Sequence, residues 1–224
     1  MTHPMPEAIL WDLDGTLVDT EPLWIAAEHD LVTSYGGTWT DEDSVSLVGR
    51  SLDYSAPILI ARGVQLTPAQ VIDHLVERVN EQVKALGPQW RPGAVELVTE
   101  AARAGIPQAI VTMSFKVQAQ VIADLLPIGA IATIVSGDMV TVGKPHPEAY
   151  LTAAAALGVD ITRCIAVEDS PTGTMSAVAS GAMTVAVPHV AQVPEDLDAA
   201  RLPSLAGVSL AELARLASTP RSLS

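Results

Sequence analysis

The sequence predicts an α/β protein, a parallel sheet with helices on both faces, interrupted early by one all-helical insertion. Three observations predict it. Short apolar runs alternate with amphipathic helical patterns along most of the chain. One stretch, residues 21–89, carries helical periodicity and no strand signal. Hydrophobic residues reach 49% while aromatics are only 4%, with Phe115 the sole phenylalanine. Ala, Val, Ile and Leu must then fill the core, as in parallel strands buried on both faces.

The first strand is Ala8-Ile9-Leu10-Trp11, ended by Asp12. The helical stretch follows. Pro22 sits where a first helical turn begins, Leu23, Ile25, Ala26, Ala27 and Leu31 form an apolar stripe, and Gly36-Gly37 stops it. Thr67-Pro68 opens a second helix with Val71, Ile72, Leu75, Val76, Val79 and Val83 at helical spacing, stopped by Gly87-Pro88. Beyond it, helices over 93–104, 115–126, 147–157 and 172–180 alternate with strands over 108–112, 132–135, 164–167 and 184–187. Right-handed crossovers should connect the strands. The expected organisation is a core of residues 1–18 and 91–224 with a helical domain, 19–90, inserted after the first strand. The last residues, 218–224, are expected to fray.

Charge and composition exclude several functions. The chain has 26 acidic against 12 basic residues, a formal net charge of -14. A general nucleic-acid binder needs a basic surface, and an anionic membrane would repel this one. A small anionic substrate is still admissible, because a metal and a few bases reverse the field inside a pocket. Cys164 is the only cysteine, so no internal disulfide can form and a reducing compartment is expected. Met1 to Pro6 lacks the plan of a secretory signal. The longest apolar stretch, 125–135, contains Pro127 and Gly129 and falls short of the ~20 residues of a spanning helix. The expected setting is cytoplasmic, and the expected state a monomer, with a weak homodimer as the alternative.

Open parallel sheets form their sites beyond the carboxyl ends of the strands. After the predicted strands come Asp12, Asp14, Gly15 and Thr16; then Thr112 and Ser114; then Lys144; then Glu168, Asp169 and Ser170. Carboxylates, hydroxyls and one lysine are a composition suited to phosphate and a hard cation. Asp12 and Asp14, two apart, face the same side of an extended chain. Gly15 permits a tight turn, after which Thr16 offers a hydroxyl and amides to an anion. Four carboxylates sum to -4, and Lys144 with one magnesium ion returns +3. The remaining charge vanishes if one aspartate holds a proton.

Asp12-Leu13-Asp14-Gly15-Thr16, Thr112, Lys144-Pro145 and Glu168-Asp169-Ser170-Pro171-Thr172-Gly173 resemble the four ordered motifs of the haloacid dehalogenase superfamily. That resemblance implies a Rossmann-like core. Asp19-Thr20-Glu21-Pro22-Leu23-Trp24 and the insertion after it resemble the helical-cap subgroup that includes sugar phosphatases and beta-phosphoglucomutase. The resemblance implies a phosphatase using Mg2+ and an aspartyl-phosphate intermediate on a small phosphorylated metabolite. It makes Asp12 the nucleophile and Asp14 the general acid and base. Thr112, with Ser114 as helper, would bind phosphoryl oxygens, and Lys144 would steady the nucleophile and the transferring group. Metal ligands would be Asp12, Asp169 and the backbone carbonyl of Asp14, with Glu168 either a ligand or a neighbour of one. Met113 departs from the pattern, since relatives often carry Asn or a small residue after the threonine, so phosphate-loop contacts there should differ. From the cap, Arg50 and Ser51 are candidate substrate contacts or an ordinary loop surface; Glu21 and Trp24 are candidates to line the mouth, with cap core as the alternative for Trp24.

Two rival readings share the scaffold. A phosphosugar mutase uses the same nucleophile and acid, but relatives with that activity tend to carry His where this chain has Trp24, which tilts toward hydrolysis. A non-catalytic binding protein would usually lack one of the essential groups. Dehalogenation needs neither Asp14 nor magnesium.

Overall fold

The computed structural model describes residues 4–47 and 51–218. The chain divides into two compact units, Met1–Asp19 with Gln89–Ser224, and Thr20–Pro88.

The larger unit is built on six parallel strands, β1 (Ala8–Trp11), β2 (Gln108–Val111), β3 (Thr133–Val135), β4 (Cys164–Glu168), β5 (Met183–Ala186) and β6 (Ala199–Arg201). Their order is β3-β2-β1-β4-β5-β6. All pairs are parallel, with Leu10 of β1 opposite Ala109 of β2 and Ala166 of β4. The sheet is thus α/β and parallel, as the apolar runs predict. Sequence-consecutive strands leave β1 in both directions, so a crevice opens beyond its carboxyl end, between β1 and β4.

Side chains alternate across the sheet. Ala8, Leu10, Ala109, Val111, Val135, Cys164 and Ala166 form one face with Ala149, Tyr150, Ala153 and Ala154. The latter four lie on an alanine-rich helix whose small side chains let it approach the strands closely. Trp11, among the largest fully buried side chains, donates from Nε1 to Gln108 Oε1 at 2.8 Å. Gln108 in turn donates to the carbonyls of Val98 and Ala130 at 3.0 and 3.2 Å. Buried polar groups must be satisfied in this way. The predicted strand 108–112 gave no hint that its first residue serves an indole across the sheet.

Among the described residues the smaller unit holds the helices α1 (Glu21–Ser34), α2 (Asp41–Leu47), α3 (Leu52–Ala61) and α4 (Pro68–Leu86). The sequence predicts α1 and α4. A complete capping box starts α4: the Thr67 hydroxyl accepts from the Gln70 amide, and the Gln70 side chain accepts from the Thr67 amide. α2 and α3 carry no long apolar period and are held by specific contacts. The Arg62 guanidinium pairs with the Asp43 carboxylate and stacks over Trp39, whose indole donates to Ser44 Oγ at 2.9 Å.

The larger unit adds α5 (Ala94–Arg103), α6 (Lys116–Ala123), α7 (Glu148–Leu157), α8 (Pro171–Ser180) and α9 (Leu210–Ala217). α6 stops at Ala123, three residues short of its apolar pattern, and α7 begins at Glu148 after Pro147. α9 and β6 were not expected; both are short, and β6 gains its order by pairing with β5. Among the described residues no helix is long and apolar enough to cross a membrane.

Glu28 is a buried acid on α1, only 5% exposed. Burial, then the charge of Glu21, pushes its carboxyl from 4.5 up to about 7. An acid whose folded-state value is raised holds more protons folded than unfolded between those two values, so stability falls as pH rises through that window. Glu28→Gln should therefore gain in melting temperature over the parent above about pH 7 and lose that gain near about pH 4. Thermal melts at both ends test this; an equal offset at both would count against a buried carboxyl.

Candidate active site

The crevice residues arrive from four strand ends. β1 delivers Asp12, whose amide donates to the Val167 carbonyl of β4 at 3.0 Å, fixing the start of the loop. The loop then tightens: Gly15 donates to the Val18 carbonyl at 2.8 Å, and Leu17 to that of Leu13 at 2.9 Å. Gly15 has φ +93, and any side chain there would collide with the Asp169 carboxylate. Backbone and acid are thus in van der Waals contact, an approach that only glycine allows.

Lys144 lies at the centre. Its Nζ donates to Asp12 Oδ1 at 2.7 Å, Glu168 Oε1 at 2.5 Å and the Val111 carbonyl at 2.9 Å. All three ammonium donors are engaged, and the side chain is 5% exposed. Glu168 is fully buried and accepts on both oxygens. Oε1 receives Lys144 and the Tyr150 hydroxyl (2.9 Å), while Oε2 receives the Asp169 amide (3.1 Å) and the Ser170 hydroxyl (3.2 Å). A side chain on Gly173 would overlap the same carboxylate.

Asp14 is held from the neighbouring loop. Ser114 Oγ donates to Asp14 Oδ2 at 2.5 Å and Thr112 Oγ1 lies 3.4 Å from the same oxygen. Thr112 Oγ1 also accepts the Ser114 amide at 3.0 Å. The two hydroxyls expected to face phosphate thus engage a carboxylate. Asp12 points toward Lys144, whereas Asp14 points toward Thr112 and Ser114.

Asp12, Glu168 and Asp169 form a cluster in which one oxygen from each lies within 4.8 Å of the others. Burial, then the charge of Glu168, raises the Asp12 carboxyl from 3.8 to about 7 although Lys144 opposes the shift. Burial, then the charge of Asp12, raises Asp169 to about 8. For Lys144 burial acts downward, but Asp12 and Glu168 outweigh it and hold the ammonium above its ordinary range. Asp12 Oδ2 and Thr16 Oγ1 are buried without a hydrogen-bond partner. Crowded acids, raised affinities for protons and an orphaned oxygen fit a hard divalent cation, which prefers oxygen donors.

Asp12, Asp14, Gly15, Thr16, Thr112, Met113, Ser114, Lys144, Glu168 and Asp169 therefore belong to the larger unit, most of them tied by direct contacts. Met113 is 38% exposed, and its sulfur lies 3.3 Å from the Lys144 amide. Glu21 and Ser51 belong to the helical unit: Glu21 opens α1, and Ser51 caps α3 by accepting the Tyr54 amide at 3.3 Å. Arg50 lies outside the described residues. The residue missed by sequence reasoning is Tyr150, fully buried, its hydroxyl on Glu168 and its ring 5.2 Å from Lys144 Nζ. The one aromatic on the alanine-rich α7, six residues after Lys144, was the available signal.

A family model described as haloacid dehalogenase-like hydrolase matches residues 9–187. Hexitol phosphatase A of Escherichia coli (strain K12) is 31% identical over 192 residues, covering 84% of this chain and 86% of the relative. Hexitol phosphatase B of the same strain is 29% identical over 214 residues, 93% of each chain. Among solved structures, CbbY from Rhodobacter sphaeroides in complex with xylulose-(1,5)bisphosphate superimposes with a TM-score of 0.80 at 29% identity, covering 93% of this chain and 99% of that one.

Proposed function

The chain belongs to the haloacid dehalogenase-like hydrolase family, and from that premise we propose that it is a magnesium-dependent phosphatase of a small sugar or polyol phosphate. The observation that carries the reading is the buried Lys144 ammonium shared by Asp12 and Glu168, beside Asp169 and an Asp12 oxygen with no other partner. The relatives named hexitol phosphatase support the substrate class.

Asp12 would attack phosphorus through a carboxylate oxygen, forming the aspartyl phosphate while the bond to the leaving alcohol breaks. Asp14 would give its proton to that alcohol oxygen, then take one from the water that attacks the phospho-enzyme. Inorganic phosphate leaves and Asp12 is regenerated. Thr112, Ser114, Thr16 and the amides around Gly15 would bind phosphoryl oxygens, and Lys144 would balance the charge that gathers on them. Asp12, Asp169 and the Asp14 carbonyl would hold magnesium, which when bound supplies further positive charge to the phosphoryl group. Glu168, already occupied on both oxygens, would orient Lys144 and Tyr150. The helical unit would act as a cap that selects substrate, through Glu21, Trp24, Arg50 and Ser51.

The test is phosphate release from a panel of hexose, pentose and polyol phosphates, with magnesium and with chelator. Turnover of at least one ester with magnesium, lost with chelator, is expected; no release across the panel would remove the phosphatase reading.

A further inference from the structure

We propose that Met113 is a positioning residue for Lys144, its thioether sulfur serving as the acceptor that anchors the lysine's backbone at the rim of the site. The kinetic consequence rests on the phosphatase reading above; the anchoring itself does not.

Lys144 has to cross from the loop after β3 to a carboxylate after β1. Its far end is fixed by three acceptors, one of them the carbonyl of Val111, the last residue of β2. Its near end meets the same segment two residues on, where the Lys144 amide donates to Met113 Sδ at 3.3 Å. One stretch of chain thus holds the lysine at both ends. Pro145 has no N–H, so the Lys144 amide is the last donor before the corner, and the next, His146, turns back to the Gly143 carbonyl at 3.0 Å.

Packing agrees with the hydrogen bond. A Cβ on Gly143 would stand 2.8 Å from Met113 Sδ, so the sulfur fills the space beside this glycine. The rest of the loop is tied elsewhere. Gly137 donates to the Ser114 carbonyl at 3.1 Å, and the Glu148 carboxylate accepts the amides of Thr141 and Val142 at 2.7 and 2.9 Å. Gly137 packs against the Met113 backbone, and the last two residues before Pro145, Gly143 and Lys144, are the ones that meet its sulfur. A thioether is a weak acceptor but a long, adaptable side chain, suited to spanning two loops. Met113 also sits between Thr112 and Ser114, so the group that steadies Lys144 moves with the two hydroxyls on Asp14.

Two variants separate acceptor from filler. Met113→Leu keeps the apolar volume and loses the acceptor; Met113→Gln keeps length and restores an acceptor oxygen. The first readout is residue-resolved exchange of the Lys144 amide by 15N NMR, which needs no turnover. Slow exchange is expected in the parent and Met113→Gln, and fast exchange in Met113→Leu. The second is the kinetics with a sugar phosphate. The leucine variant should lose about 10-fold to 100-fold in kcat with KM little changed, as expected of a displaced catalytic group, and glutamine should recover most of it. Equal protection in all three proteins, or leucine as active as or more active than glutamine, would overturn the assignment. If the parent releases no phosphate from any ester, the phosphatase reading falls, while the exchange order still decides the anchor.

Discussion

Asp12→Asn should abolish phosphate release while leaving the protein folded and, without metal, more heat-stable than its parent. The amide cannot attack phosphorus at a useful rate, and loss of a nucleophile costs on the order of 10⁴-fold to 10⁶-fold. Stability should move the other way. The parent carboxyl is buried against Glu168 and Asp169, and its value of about 7 records a charge the folded state resists. Asparagine has the same shape without the charge, and Lys144 keeps Glu168 as partner. Activity assays beside thermal melts in chelator separate the effects. Activity within about 10-fold of the parent would reject Asp12 as nucleophile, and a collapsed melt would make the loss uninformative.

The second large effect concerns metal and pH together. Burial raises Asp12 to about 7 and Asp169 to about 8, so in the metal-free protein both keep their protons to higher pH than free carboxyls do. A cation needs them bare, so its binding releases protons and strengthens as pH rises, by about 10-fold per unit for each proton released. The metal-free protein should show the opposite trend. A carboxyl raised on folding favours the folded state below its unfolded value, and that contribution is lost as pH climbs through the folded one. The melting-temperature gap between magnesium and chelator should therefore be small near about pH 5.5 and widen steadily to about pH 8.5. A gap that is flat or narrows with pH would show that these carboxyls do not compete with the ion for protons.

Both expectations rest on a cluster assembled from four separated segments, and the sequence was unequally informative about it. The loops that follow β1 and β4 were plain, because a fully buried parallel strand must be an unbroken apolar run. A carboxylate at its end, as in Trp11-Asp12 and Val167-Glu168, stands out. Gly15 was legible for a local reason too, since a tight turn with positive φ favours glycine. α2, α3, α9 and β6 were not. They are short, and their order comes from tertiary partners, such as β5 for β6 and the Glu100 carboxylate that accepts the Leu210 amide at the start of α9.

Side-chain partnerships were the least legible. Nothing local sends Ser114 and Thr112 to Asp14, closes Tyr150 over Glu168, or brings the sulfur of Met113 to the amide of Lys144, 31 residues away. The sequence alone determined the fold class and the residue types at the rim, because strand burial and turn chemistry are written in near neighbours. The tertiary structure decided which acid faces which base, and how far burial shifts their protons. Those depend on the sheet order β3-β2-β1-β4 and on the water it excludes, properties that no single segment possesses.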